Sequence, residues 1–154
     1  MSIAQGSPAP DFVLATDDGS SLTLSSLRGR KVILYFYPKD DTPGCTTEAC
    51  AFQAALPDFS AAKAEIIGLS KDDSKSHQRF KAKYGLGFTL LSDPDGKVCA
   101  DYEVWVEKTN YGKKYFGIER STFLIDENGV IRKIWRKVKV DGHACKVLAE
   151  LSAL

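Results

Sequence analysis

The stretch Lys31-Val32-Ile33-Leu34-Tyr35-Phe36-Tyr37 constrains this chain more than any other. A run of β-branched and aromatic residues with no polar alternation has no face to offer water. It reads as a strand covered on both sides, at the centre of a sheet. Ala64–Ser70 (AEIIGLS) is a second run of this kind. Pro38 closes the first run, and Pro43-Gly44 opens a helix expected over Cys45–Leu56. Phe12–Ala15 and Ser21–Leu24 flank the turn Asp17-Asp18-Gly19-Ser20 and form a hairpin. Ser74–Tyr84 reads as a polar helix capped by Ser74 and stopped by Gly85, followed by a short strand, Thr89–Ser92. The turn Asp93-Pro94-Asp95-Gly96 leads into a short helix, Lys97–Tyr102. Ser121–Asp126 and Val130–Val138 pair across Glu127-Asn128-Gly129. Asp141 caps a last helix with an apolar stripe of Val147, Leu148, Leu151 and Leu154. Strand–helix–strand, a helix, a hairpin and a final helix give an α/β, thioredoxin-like order. It has a central mixed sheet flanked by helices and an N-terminal hairpin extension.

The chain has 154 residues, which suits one domain over 1–154 with a core large enough to need no staples. Its four cysteines therefore call for another explanation. A net charge of +1 gives no basic surface for nucleic acid. In the locally basic segment Arg132–Lys139 the charges alternate with apolar residues, as on the solvent face of a strand. No apolar segment approaches the ~18 residues of a membrane span, and the opening MSIAQGSPAPDF has no targeting pattern. The expectation is a cytoplasmic protein, in a compartment where cysteines are reactive or simply buried rather than stapled.

The chemistry concentrates in Tyr37-Pro38-Lys39-Asp40-Asp41-Thr42-Pro43-Gly44-Cys45-Thr46-Thr47-Glu48-Ala49-Cys50. A buried strand feeds a proline-bounded loop, and a helix begins at a cysteine. The first turn of a helix carries unpaired N–H groups and the positive end of the dipole, so a thiol there loses its proton more readily. Thr42 can place a hydroxyl beside that sulfur, donating to a thiolate and accepting from a bound peroxide. Cleaving an O–O bond leaves negative charge on the departing oxygen, which an arginine fork stabilises well. Arg120 opens the strand Arg120–Asp126, at the end expected to lie beside the Cys45 helix terminus.

The pattern Pro38-x-x-x-Thr42-x-x-Cys45 resembles the active-site motif of the peroxiredoxins. The fuller string YFYPKDDTPGCTTEAC is similar to the Q-type branch, the bacterioferritin comigratory proteins. GSPAPDF, LSDPDGKV, ERSTFLID and GVIRKIW extend the likeness almost end to end. The resemblance implies a peroxidatic Cys45, a peroxide pocket shaped by Thr42 and Pro38, and Arg120 beside the thiolate. It further implies that Glu48 orients Arg120 and that Cys50 holds the resolving position found in many members. The implied partners are a hydroperoxide substrate and thioredoxin, with no metal or flavin cofactor and a monomeric state.

The other candidates have plainer readings. Cys99 and Cys145 are structural, with a resolving role for either left open, and Cys50 could simply be packed. Glu48 could serve only the helix dipole. Asp40 and Asp41 read as loop solvation, His77 and His143 as isolated, and Trp105 and Trp135 as packing. A general disulfide oxidoreductase is disfavoured because the spacing is C-x-x-x-x-C and no proline precedes Ser121-Thr122. A zinc site would need a second cysteine or histidine pair.

Overall fold

The computed structural model of the chain describes residues 3–154. In chain order its elements are β1 (Val13–Thr16), β2 (Ser21–Thr23), β3 (Lys31–Phe36), α1 (Pro43–Ala54), α2 (Leu56–Ala61), β4 (Ala64–Ser70) and α3 (Ser74–Tyr84). They continue as β5 (Thr89–Ser92), α4 (Lys97–Asp101), β6 (Trp105–Asn110), β7 (Lys113–Ile118), β8 (Ser121–Ile125), β9 (Ile131–Trp135) and α5 (His143–Ser152). Seven strands form one mixed sheet in the order β2-β1-β5-β4-β3-β8-β9. β3 runs parallel to β4 and antiparallel to β8. The N-terminal hairpin joins the sheet through antiparallel pairing of β1 with β5. This is the thioredoxin-like arrangement expected from the order of elements. No helix among the described residues is long and apolar enough to cross a membrane.

The double-sided burial of β3 is visible in its side chains. Val32, Leu34 and Phe36 enter one core with Tyr102, Val98 and Phe123. Ile33, Tyr35 and Tyr37 enter the other with Phe52, Phe59, Phe80 and Val147, contributed by α1, α2, α3 and α5. The register that fixes the site is Phe36 opposite Ser121. It brings the end of β3, and hence the loop into α1, level with the start of β8, and Arg120 is the residue just before that start.

Several local expectations are corrected. The first helix starts two residues earlier, with Pro43 in its first turn, where a missing N–H costs nothing. It ends at Ala54 rather than Leu56, because Pro57 cannot continue the hydrogen-bond ladder, and a separate helix, α2, follows. The cap of α3 is Asp73, whose side chain accepts from the Ser76 amide, and Ser74 is the first helical residue. Gly85 ends that helix at φ 64° as expected. Gly142, at φ 70°, caps α5 in place of Asp141. Leu154 lies beyond the end of α5 and is exposed, so the apolar stripe stops at Leu151. The β6–β7 hairpin was not expected at all. It forms its own two-stranded sheet around Tyr111 and Gly112, both with positive φ.

Candidate active site

Cys45 is the third residue of α1 and is almost fully buried. The first bond across this turn runs from the Thr46 amide to the Thr42 carbonyl at 2.8 Å. The Gly44 and Cys45 amides precede it, among the groups a helix terminus leaves without intrahelical partners. Thr42 is the cap residue, yet its side chain makes no capping bond to the helix. Its hydroxyl donates instead to the Lys39 carbonyl at 2.9 Å. The expected donation from Thr42 to the sulfur is therefore not made in this state, and the hydroxyl lone pairs remain for a donor. Pro38 is exposed at the end of β3.

Arg120 ties the site together. Its Nη2 donates to the Cys45 sulfur at 3.3 Å, and its Nη1 donates to Glu48 Oε1 at 2.6 Å. Glu48 is one turn further along α1 and buried. Burial pushes its carboxyl up to about 7, against the pull of the neighbouring guanidinium. Its Oε2 and the Tyr35 hydroxyl are both buried without a hydrogen-bond partner. Gly44 makes the approach of the arginine possible. A Cβ there would lie 3.1 Å from Arg120 Nη2, tighter than normal contact. The sequence marks this glycine only as part of the Pro43-Gly44 helix opening. Its packing role was invisible because the close neighbour lies 76 residues away in the chain.

The other cysteines sit differently. Cys50 is exposed on α1, and Cys145 is exposed on α5. Cys99 is buried in α4, and burial, with Asp93 beside it, pushes its thiol well up. All four are free thiols in this state. No group of three or more His, Cys, Asp or Glu side chains among the described residues is placed to hold a metal ion. The reading of Asp40 as loop solvation is corrected, because Asp40 is buried and bonded to Tyr37, Ser76 and His77. Asp41 is exposed, but Lys83 and Tyr84 of α3 hold it at 2.9 and 2.6 Å.

A thioredoxin-like sheet that presents a helix-terminal cysteine to an arginine defines a thiol-based redox protein. The pattern of the AhpC/TSA family matches residues 5–134. A Coxiella burnetii protein named for the bcp peroxiredoxins is 59% identical over 98% of this chain and 100% of its own length. Peroxiredoxin Bcp of Bacillus subtilis is 49% identical over 98% of this chain and 96% of its own. Among solved structures, a cysteine-to-serine variant of Xylella fastidiosa PrxQ superposes with a TM-score of 0.94 at 41% identity, covering 99% of this chain and 98% of that one. The bacterioferritin comigratory protein of Xanthomonas campestris, described for its alkyl peroxide reduction activity, gives 0.89 at 49% identity, covering 92% and 90%. The chain belongs to the AhpC/TSA family, in its peroxiredoxin Bcp/PrxQ branch, and is a thiol peroxidase.

Proposed function

We propose that Cys45 is the peroxidatic cysteine and that Cys50 resolves it. The observation that carries this reading is the Arg120 fork, with one arm 3.3 Å from the Cys45 sulfur and the other on Glu48. The guanidinium and the helix terminus place positive charge beside the sulfur, where negative charge is carried and passed on during the attack. The thiolate attacks one oxygen of the hydroperoxide. An S–O bond forms as the O–O bond breaks, and the second oxygen leaves as alkoxide or hydroxide. Arg120 Nη2 steadies that charge until a proton arrives and the alcohol or water departs. Thr42 accepts from the O–H of the bound peroxide, and Pro38 bounds the pocket entrance.

The Cys45 sulfenic acid then condenses with the Cys50 thiol, giving a disulfide and one water. An external dithiol of thioredoxin type returns both thiols by exchange. Hydrogen peroxide and small organic hydroperoxides are the substrates of this reading, which the alkyl peroxide activity described for the Xanthomonas relative supports. With both cysteines on one helix, the reading needs no second subunit, and it has the chain act as a monomer in a reducing cytoplasm. The test is a burst experiment. Reduced protein should consume one equivalent of peroxide at once and lose two thiols, and Cys45→Ser should do neither while keeping its fold. Turnover by that variant would refute the assignment.

A further inference from the structure

The loop that carries Thr42 also carries Asp40, which belongs to a buried polar cluster that the proposed peroxidase chemistry does not use. Asp40 and His77 are 6% and 0% exposed. Asp40 Oδ1 accepts from the Tyr37 hydroxyl at 2.6 Å, and Oδ2 accepts from the Ser76 hydroxyl at 2.8 Å. The same Oδ2 is 2.7 Å from His77 Nδ1, while His77 Nε2 is 2.9 Å from the Leu91 carbonyl. A carbonyl oxygen can only accept. The Asp40 carboxylate already accepts from two hydroxyls, and a carboxylate has no hydrogen to give back to the ring. A neutral imidazole has a single N–H and would turn a lone pair toward one of these oxygens. The imidazolium donates to both.

We propose that His77 is a positioning residue for Cys45: as an imidazolium paired with Asp40, it pins the segment 38–42 to α3 and holds the start of α1 in its reactive place. The proposal rests on the reading of Cys45 as the peroxidatic cysteine. The pin is built from both sides of the loop. The Asp40 amide donates to Asp72 Oδ2 at 2.8 Å, and that oxygen also takes the Ser70 hydroxyl at 2.7 Å. Asp41 follows with φ 57°, a left-handed turn that aspartate tolerates better than most residues, and α3 grips its carboxylate through Lys83 and Tyr84. The chain then enters Thr42 and Pro43 with its direction fixed.

The charge on His77 is set by its whole surroundings. Burial opposes the cation, while Asp40 at contact distance, the Leu91 carbonyl of β5 and Asp72 favour it, and the net effect raises its pKa above the usual 6.5. The Tyr37 hydroxyl lies 3.4 Å from Nδ1. Asp17, the nearby acid at the end of β1, is occupied by Lys81 and the Leu90 amide. A histidine whose folded pKa is raised lends its full support below about 6.5 and withdraws it as pH rises through the folded value. With an acceptor at each ring nitrogen, the pin is closed while the ring keeps both protons and opens as pH rises through the folded value.

Two measurements on the full chain test this. The first is nitrogen-15 NMR of the His77 ring in the reduced protein. Both ring nitrogens should be protonated at pH 7, with loss of one proton only at higher pH. A singly protonated ring from pH 6 to 8 would overturn the proposal, whether or not any variant folds. The second compares His77→Gln with wild type by stopped-flow oxidation and by iodoacetamide alkylation of Cys45 mapped by mass spectrometry. Gln retains an amide donor and cannot carry charge. It should oxidise about tenfold more slowly at pH 7, the scale of a modest misplacement of a reacting atom. It should also lose the alkaline fall in rate that His77 gives the wild type. A folded His77→Gln protein with wild-type rates and an unchanged pH profile would refute it. Alkylation needs no peroxidase chemistry, so it separates failure of the pin from failure of the Cys45 assignment, which Cys45→Ser tests by itself.

Discussion

Arg120 holds the Cys45 sulfur with one nitrogen and Glu48 with another, and the role proposed for it follows from that division. In the proposed mechanism Glu48 fixes the plane of the guanidinium, and the remaining arm is left to follow charge from the thiolate to the departing oxygen. Arg120→Ala should slow Cys45 oxidation by on the order of 10²–10³, the usual cost of one lost transition-state donor. Arg120→Lys should recover only part, because an ammonium cannot grip Glu48 and the sulfur in one plane. Stopped-flow rates near wild type for the alanine variant would remove Arg120 from the site. At this scale the sequence was legible where one residue type suits one task. Cys45 at a helix start and Arg120 just before a strand could be expected side by side, because a thiolate calls for a fixed cation, and the two meet at 3.3 Å. Glu48 could be read two ways, and its ion pair with Arg120 joins residues 72 positions apart, which the sequence does not display. Asp40 and His77 could not be read, because what matters about them is burial and a contact between residues 37 positions apart.

The helix α1 carries both thiols, and its geometry sets the next expectation. Five residues of α-helix separate Cys45 from Cys50 by ~7.5 Å along the axis and ~140° around it, a Cα separation of ~8.6 Å. A disulfide needs about 7 Å or less, with converging Cβ atoms. One cysteine is buried and the other exposed, as that angle implies. The disulfide form cannot keep this helix, so the segment 45–51 should unwind about Gly44, exposing the sulfurs and dispersing the peroxide pocket. Hydrogen exchange should show protection here in the reduced protein and its loss in the oxidised one. Full protection in a protein that carries the Cys45–Cys50 disulfide would contradict the mechanism. Cys50→Ser should allow the first oxidation, then stall with a sulfenic acid that further peroxide over-oxidises. Continued recycling at the normal rate would point to Cys99, Cys145 or an external thiol. Elements were readable in proportion to their burial. β3 and β4 announced themselves because both faces are apolar, whereas β6 and β7 are largely exposed and their turn uses Tyr111-Gly112 rather than an asparagine–glycine pair.

The stability of the whole molecule should carry the signature of two buried groups that titrate against each other. Burial raises the Glu48 carboxyl to about 7, with Arg120 opposing. Burial lowers His143 to about 4, aided by Lys146 and Arg120. Between about pH 4.5 and 6.5 the folded chain holds a proton on Glu48 that the unfolded chain has released. Over the same range it lacks a proton on His143 that the unfolded chain has bound. The two slopes cancel, and stability should be nearly flat there. Glu48→Gln removes one side of the balance. Its stability should then rise with pH across this range at about 1.4 kcal/mol per unit, the slope of a single proton. Urea titrations at stepped pH give the comparison, and an unchanged flat profile would mean that Glu48 does not hold its proton in the fold. The most direct test of the account as a whole is peptide mapping by mass spectrometry after reduced protein meets one equivalent of hydrogen peroxide. The account predicts a single new disulfide joining Cys45 to Cys50, with Cys99 and Cys145 still free. An oxidised protein in which Cys45 remains a free thiol would contradict it.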